Sequence, residues 1–447
     1  MRASVLVLSP EPVGERMAGP AIRAGELAGA LAAEHDVTLA APAPSRWSDP
    51  RVRLIEAGTR DFGAVLAAAR SHEVVVAQEL PPTLLGRLAR MPVRLVLDLY
   101  NPIVIEVLEA VAGRPARAAR RIQAVIASRT LAQCAVADHV ICASDRQRDL
   151  WLGAMAVHGL LDLDAYRADP TLRSLIDVVP LGIPSQPPRR VAGRSLREAF
   201  PEIAADDPVL LWGGGIWGWL DPETPIRAVA RLERTHLVFM GTARPGLAQT
   251  GQEPFVREAA ATARREGLEG ERVHFHADWV PYTERGAWLL DADLGVSAHR
   301  DHLEARFAFR TRLLDYIWAG LPVVATRGDV LADLVEREQL GRTVAPGDVD
   351  AFAAACAELL EGPAGAAARA RAAAVAPTLT WEAAVAPLAD WCARHRELPS
   401  RSPRVDVLRR ATRQQYLRML PRTLEEEGLG AAAAQVVRRL RRAVRLG

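Results

Sequence analysis

Short apolar runs alternate with helix-forming stretches twice along this chain, and that rhythm limits its fold more than any other feature. In the first half the runs are residues 4–8, 37–41, 74–77, 95–99, 140–143 and 178–181. Most are apolar at every position, as strands of a parallel sheet covered by helices on both faces must be. Between the first two, Pro20 opens a helix whose body is residues 21–31. The segment Gly182-Ile183-Pro184-Ser185-Gln186-Pro187-Pro188 suits no regular element and reads as a linker. The rhythm then restarts with runs at 209–212, 237–240, 273–275, 294–297 and 323–325, separated by helices such as 225–232 and 313–318. Alternation of this kind predicts an α/β chain with one parallel sheet in each half. Ligands of such sheets gather at the carboxyl ends of the strands, so a cleft between the halves is the expected site.

The bulk properties agree with two domains. The 447 residues exceed one ordinary core of roughly 100–200. A net charge of +2 gives no global attraction to nucleic acid. All 56 basic residues are arginine, so any phosphate clamp is built from Arg or from backbone amides. Cys134, Cys142, Cys356 and Cys392 form no C-x-x-C pair and read as buried thiols of a reducing compartment. The apolar start, residues 3–8, is too short for a signal peptide, and no run of about 18 apolar residues is present; a cytoplasmic protein is expected. Beyond residue 398 two amphipathic helices are expected, 405–420 and 431–446. The second carries Arg438, Arg439, Arg441, Arg442 and Arg445. They read either as helices packed across the domains or as a basic face for peripheral contact with an anionic membrane.

Three loops carry candidate chemistry. The first, residues 9–20, holds Gly14 and Gly19 and leads into a helix N-terminus, where free amides favour anions. The second is Gly213-Gly214-Gly215-Ile216-Trp217-Gly218-Trp219-Leu220. It matches G-x-G-x-x-G in letters, but its helix is expected only from Asp221-Pro222-Glu223. The next strand ends at Met240-Gly241-Thr242, without the acid that would hold an NAD ribose. It reads better as backbone brought close to a ligand. The third runs from His302 through Glu304, Arg306, Phe307, Arg310, Thr311 and Arg312 to Asp315. Its arginines suit a diphosphate, and Asp315 suits ribose hydroxyls; the alternative is a solvated charge run. Asp98, ending its strand, is the candidate contact for acceptor or sugar, with Tyr100, Asn101 and Glu106 in the loop after it; a helix cap is the alternative for Asp98. The pairs Asp162/Asp164, Asp291/Asp293 and Asp348/Asp350 match D-x-D in letters, but stand at loop or helix-end positions, and no metal site is expected.

The stretch from Leu313 to Thr326, with its leucine pair, Asp315, Ala319-Gly320 turn and Leu321-Pro322-Val323-Val324-Ala325-Thr326, resembles the donor-site helix of family 4 glycosyltransferases. Gly19 to Leu31 and Val344 to Leu360 resemble the family's first loop and helix and its late strand, turn and helix. The resemblance implies a GT-B fold: an acceptor domain over 1–183, a nucleotide-sugar donor domain over 184–398 and a helical extension over 399–447. It implies a retaining transferase without cofactor or metal, acting from the front face of a nucleotide-diphosphate sugar on a glycan, lipid-linked or small-molecule acceptor, as in cell-envelope polysaccharide synthesis. Asp315 then takes the place of the family's ribose-binding Glu. Gly213, Gly214, Gly215, Arg306, Arg310, Thr311 and Arg312 approach the diphosphate, and Val280 the base. Two departures stand out. Ile216, Trp217 and Trp219 occupy the place of the usual Arg and Lys after the glycine turn. Phe307 occupies the place of the usual Glu, for which Glu304 is the substitute from a lengthened loop. A degenerate nucleotide-sugar-binding relative and an NAD-dependent oxidoreductase remain the alternatives.

Overall fold

The computed structural model describes residues 2–242, 253–398 and 406–409. Two parallel sheets form its frame. The first contains β1 (Ser4–Leu8), β2 (Asp36–Ala41), β3 (Val52–Glu56), β4 (Val74–Ala77), β5 (Arg94–Asp98), β6 (His139–Cys142) and β7 (Ile176–Val178). The second contains β8 (Val209–Trp212), β9 (His236–Phe239), β10 (Val273–Phe275), β11 (Leu294–Ser297), β12 (Val323–Thr326) and β13 (Gly341–Val344). The orders are β3-β2-β1-β4-β5-β6-β7 and β10-β9-β8-β11-β12-β13. Both reverse direction beside their first strand, between β1 and β4 and between β8 and β11. The crevice outside such a switch point is where doubly wound sheets bind ligands. This explains why the loops after β1 and β8 matter.

The interior strands are the ones that apolarity alone makes visible: β1, β4, β8 and β12 are buried almost throughout. The edges are different. β3 alternates as Val52-Arg53-Leu54-Ile55-Glu56 with one side open, and β13 places Arg342 and Thr343 at half-buried positions. An edge strand has a solvated side, so it lacks the all-apolar signature. For the same reason β7 lies two to three residues before the expected 178–181: Asp177 sits inside it, ion-paired with Arg173 at the surface.

The linker is pinned rather than loose. Ile183 N donates to Leu379 O at 2.9 Å, and Trp381 N donates back to Ile183 O at 3.0 Å. Gly182 is required there, because a Cβ would lie 2.6 Å from the Trp381 backbone. The helix Trp381–Arg394 then returns to the first sheet and packs on Gly19–Leu31. Trp391 stacks on His139 at 4.8 Å, and His35 Nε2 meets Ala389 O at 2.9 Å. Of the two expected tail helices, only the start of the first is described: Val407 and Leu408 are buried in the first domain's core. The rest of the first, and the arginines of 431–446, lie outside the described residues. No helix among the described residues is long and apolar enough to cross a membrane.

Candidate nucleotide-sugar site

The cleft between the sheets holds a cavity of about 510 Å³. From the first domain come Met17, Ala18, Gly19, Pro20, Tyr100, Asn101 and Glu106; from the second, the glycine loop, Trp217, Trp219, Val280, Arg285, Phe309, Arg310, Thr311, Arg312 and Asp315. The loop after β1 reaches across. Tyr282 N donates to Glu15 O at 2.8 Å, Trp279 Nε1 to Met17 O at 3.2 Å, and the Tyr282 hydroxyl to Glu26 at 2.9 Å. Gly19 lines the cavity and starts a 13-residue helix whose N-cap, Ala18, offers no side-chain cap. Gly14 belongs to the crossing loop, beside Arg46, and is not among the lining residues.

Local packing shapes the glycine loop. Gly295 leaves room for the Tyr316 ring, which a Cβ would meet at 2.2 Å. The Tyr316 hydroxyl thereby reaches the centre of the sheet, 2.9 Å from both Leu211 O and Val296 O, and accepts from Gly213 N at 2.8 Å. Gly213 N is therefore already used. Gly214 turns the chain at φ +76°, a conformation that favours glycine. Gly215 O accepts from Arg312 Nη2 at 3.0 Å. The helix begins at Glu223, after Asp221 has accepted from Thr224 N at 3.2 Å, in agreement with the late start read from Asp221-Pro222-Glu223.

Arg312 is partly buried, with one end of its guanidinium enclosed. Its guanidinium lies 4.4 Å over the Trp212 ring, and Nη1 has no partner among the described residues. Burial lowers its pKa to about 10. Arg310 pairs with the buried Glu304 carboxylate, yet its Nε is also without a partner among the described residues. Asp315, half-exposed, accepts from Arg285 Nε at 3.1 Å. Arg285 is itself sandwiched between the Tyr282 and Trp318 rings, at 3.7 and 4.6 Å. Sequence reasoning passed over Arg285, since no motif surrounds it; aromatic partners far apart in the chain place it.

The structure brings Gly19, Tyr100, Asn101, Gly213, Gly214, Gly215, Val280, Arg310, Thr311, Arg312 and Asp315 to one cavity. Besides Gly14, three candidates stand apart from its lining. Asp98 is buried behind the wall with both carboxylate oxygens on Arg23, at 2.6 and 2.9 Å, so it holds the scaffold rather than facing a substrate. Arg306 is exposed outside the cavity, and its carbonyl accepts from Arg146 at 3.2 Å. Glu304 stands behind Arg310, 1% exposed. Glu106, expected in a loop, is instead in the first turn of the helix Ile103–Val111 and does line the cavity. Burial lifts its pKa to about 7, with Glu304 adding to the rise and Arg310 opposing it. The D-x-D acids serve local structure: Asp162 and Asp348 cap helices, Asp291 pairs with Arg190, Asp293 accepts from Val209 N at 2.8 Å, and Asp350 pairs with Arg231.

Residues 196–362 match the family model described as Glycosyl transferases group 1. The match lies within the second domain and points to an enzyme of glycosyl transfer. Sucrose-phosphate synthase from Thermosynechococcus elongatus superposes with a TM-score of 0.61 at 17% identity, over 88% of this chain and 98% of that one. HepE from Anabaena, solved in complex with UDP-glucose, superposes with a TM-score of 0.60 at 15% identity, over 89% of this chain and all (100%) of that one. WaaG, a glycosyltransferase involved in lipopolysaccharide biosynthesis, gives 0.53 at 17% identity, over 87% and 98%. These likenesses establish the GT-B fold, two Rossmann-like domains facing a cleft. No curated protein matches the chain in sequence.

Proposed function

We propose that the protein transfers a sugar from a nucleotide-diphosphate donor, with retention of configuration and without a metal, to a glycan, lipid-linked or small-molecule acceptor held against the first domain. The unpartnered nitrogens of Arg310 and Arg312 carry this reading. A buried guanidinium N–H without an acceptor is costly, and an anion entering the cavity relieves that cost. Breaking the anomeric C–O bond leaves negative charge on the departing diphosphate. Fixed guanidinium groups stabilise that charge without reorganising, an effect worth several kcal/mol. Asp315 is placed to accept from ribose hydroxyls, and Val280 to meet the base through its main chain. The domain limits carried over from the family, 1–183 and 184–398, divide the work into acceptor and donor halves. Arginines take the role that a metal takes elsewhere, because the D-x-D acids are committed to caps and ion pairs. A cytoplasmic location and a part in cell-envelope polysaccharide synthesis complete the proposal. HepE, crystallised with UDP-glucose, makes a UDP-sugar the first donor to try.

A nucleotide-sugar-binding protein without turnover is the second reading. It is favoured by the stacked pair Trp217 and Trp219, 5.5 Å apart, where the family carries cations. The NAD reading has no support at the end of β9, where Met240-Gly241-Thr242 supplies no carboxylate. Incubation with UDP-, GDP-, TDP- and ADP-sugars in EDTA, followed by mass spectrometry and NMR of the product, tests the proposal. Release of one nucleoside diphosphate with the donor's anomeric configuration kept is expected. Inversion, or activity only after metal is restored, would remove those parts of the proposal. Binding without any turnover would favour the second reading.

A further inference from the structure

The mechanism above leaves unassigned the group that receives the proton of the attacking hydroxyl. Among the described residues, the only acidic side chain that the first domain contributes to the lining is Glu106. It sits in the first turn of Ile103–Val111, a helix that packs on Leu303–Phe307 of the second domain. Its carboxylate makes no hydrogen bond to another described residue. The charges that act on it come from across the cleft, Glu304 and Arg310. Ala116–Val136, the helix packed on its other side, places none of its arginines among those charges. On its own segment Tyr100 feels the charge of Glu106, but is buried and held un-ionised. Glu304 is shut away behind Arg310 with His302 3.7 Å off, so it cannot reach a substrate from its place. The two acids have thus separated: one is neutralised by an arginine, and the other is left open to the cavity.

We propose that Glu106 is the general base of the transfer, a catalytic residue in direct contact with the acceptor hydroxyl, and that Glu304 is a positioning residue acting through Arg310. The inference rests on the donor reading above. The Glu106 carboxylate takes the hydroxyl proton as the acceptor O–H bond breaks. The acceptor oxygen bonds to the anomeric carbon on the face from which the phosphate departs, so configuration is kept, and the anomeric C–O bond to phosphate breaks, its electron pair leaving on the nucleoside diphosphate. Glu106 then returns its proton to solvent through the open cavity. A base whose protonation changes near neutrality suits this task, since it is largely ionised at working pH and still accepts a proton.

Water entering the cavity is the simplest acceptor, so the test needs no knowledge of the natural one. The nucleotide sugar that binds most tightly is incubated with wild type, Glu106→Gln and Glu304→Gln, and hydrolysis is followed from pH 5 to pH 9, with nucleoside diphosphate binding measured in parallel by calorimetry. The expected result is a wild-type rate that rises through an apparent pKa near 7. Glu106→Gln should lose that limb and at least tenfold of the rate while binding the nucleotide as wild type does. Glu304→Gln should retain a limb, displaced to lower pH because a like charge has gone. An unchanged rate and pH limb in Glu106→Gln would overturn the proposal. So would a wild type that binds a nucleotide sugar but never hydrolyses it, because a poised base in an open cavity activates water. Absence of any nucleotide binding by wild type is a different failure, that of the donor reading itself.

Discussion

Two buried arginine–carboxylate pairs, one in each domain, show how the same chemistry serves scaffold and site. In the first, Arg23 gives two hydrogen bonds to Asp98, one to Pro180 O and one to Val179 O, and both side chains are almost fully enclosed. The pair ties the helix Gly19–Leu31 to β5 and to the end of the first domain. In the second, Arg310 gives one contact to Glu304 and keeps Nε unpaired beside a cavity, with Arg312 Nη1 equally unpaired nearby. A saturated pair resists change, whereas an unsaturated one waits for an anion. What separates these two pairs is an unmet N–H beside a cavity, since buried charge is common to both.

The comparison can be broken most forcefully at Asp98. Asp98→Ala leaves Arg23 buried without its counter-charge and should destabilise the fold by about 3–5 kcal/mol, read as a lower midpoint in urea unfolding. A variant as stable as wild type would show that the first pair is no scaffold. Arg312→Met probes the other side. Removing an unsatisfied buried cation should cost little stability, while nucleoside diphosphate affinity should fall by roughly 10- to 100-fold, the loss of about 1.5–3 kcal/mol from a charged hydrogen bond. Unaltered affinity would place the anion elsewhere.

Acid and base behaviour sharpens the contrast. Glu106 has its pKa raised from 4.5 to about 7, so the folded protein binds its proton more tightly than the unfolded chain does. Its contribution therefore falls as pH rises from 4.5 to 7 and stays low above that. Glu106→Gln removes the penalty and should be more stable than wild type at pH 8 by up to roughly 3 kcal/mol, with no difference near pH 4. His139, stacked on Trp391, works in the other direction. Burial lowers its pKa from 6.5 to about 4, so its stabilising neutrality is lost as pH falls through that interval. His139→Gln should flatten the acid limb of the unfolding curve. The smallest effect is expected at Asp315→Asn, where half-exposure weakens the Arg285 pair; nucleotide affinity should fall only severalfold, with little change in melting temperature.

Much of the fold was legible because interior parallel strands are apolar on both faces; β1, β4, β8 and β11 announce themselves at their observed bounds. The edges β3 and β13 were not, since each keeps a solvated side. At the site, Arg310, Arg312 and the glycine loop were readable because they cluster in sequence. Arg285 was not readable, because its neighbours Tyr282, Asp315 and Trp318 come together only in three dimensions. Asp98 was misleading for a related reason. An acid ending a strand of a parallel sheet points toward the cleft region, but nothing local reveals that Arg23, 75 residues earlier, already encloses it.

The central claim is that the unpaired guanidinium groups of the second domain hold a nucleoside diphosphate. Calorimetric titration of UDP, GDP, TDP, ADP and NAD, without added metal, into wild type and Arg312→Met tests it most directly. The account predicts that one nucleoside diphosphate binds wild type and binds the variant at least tenfold more weakly, with NAD silent in both. Equal binding by the two proteins, or binding of NAD alone, would contradict it.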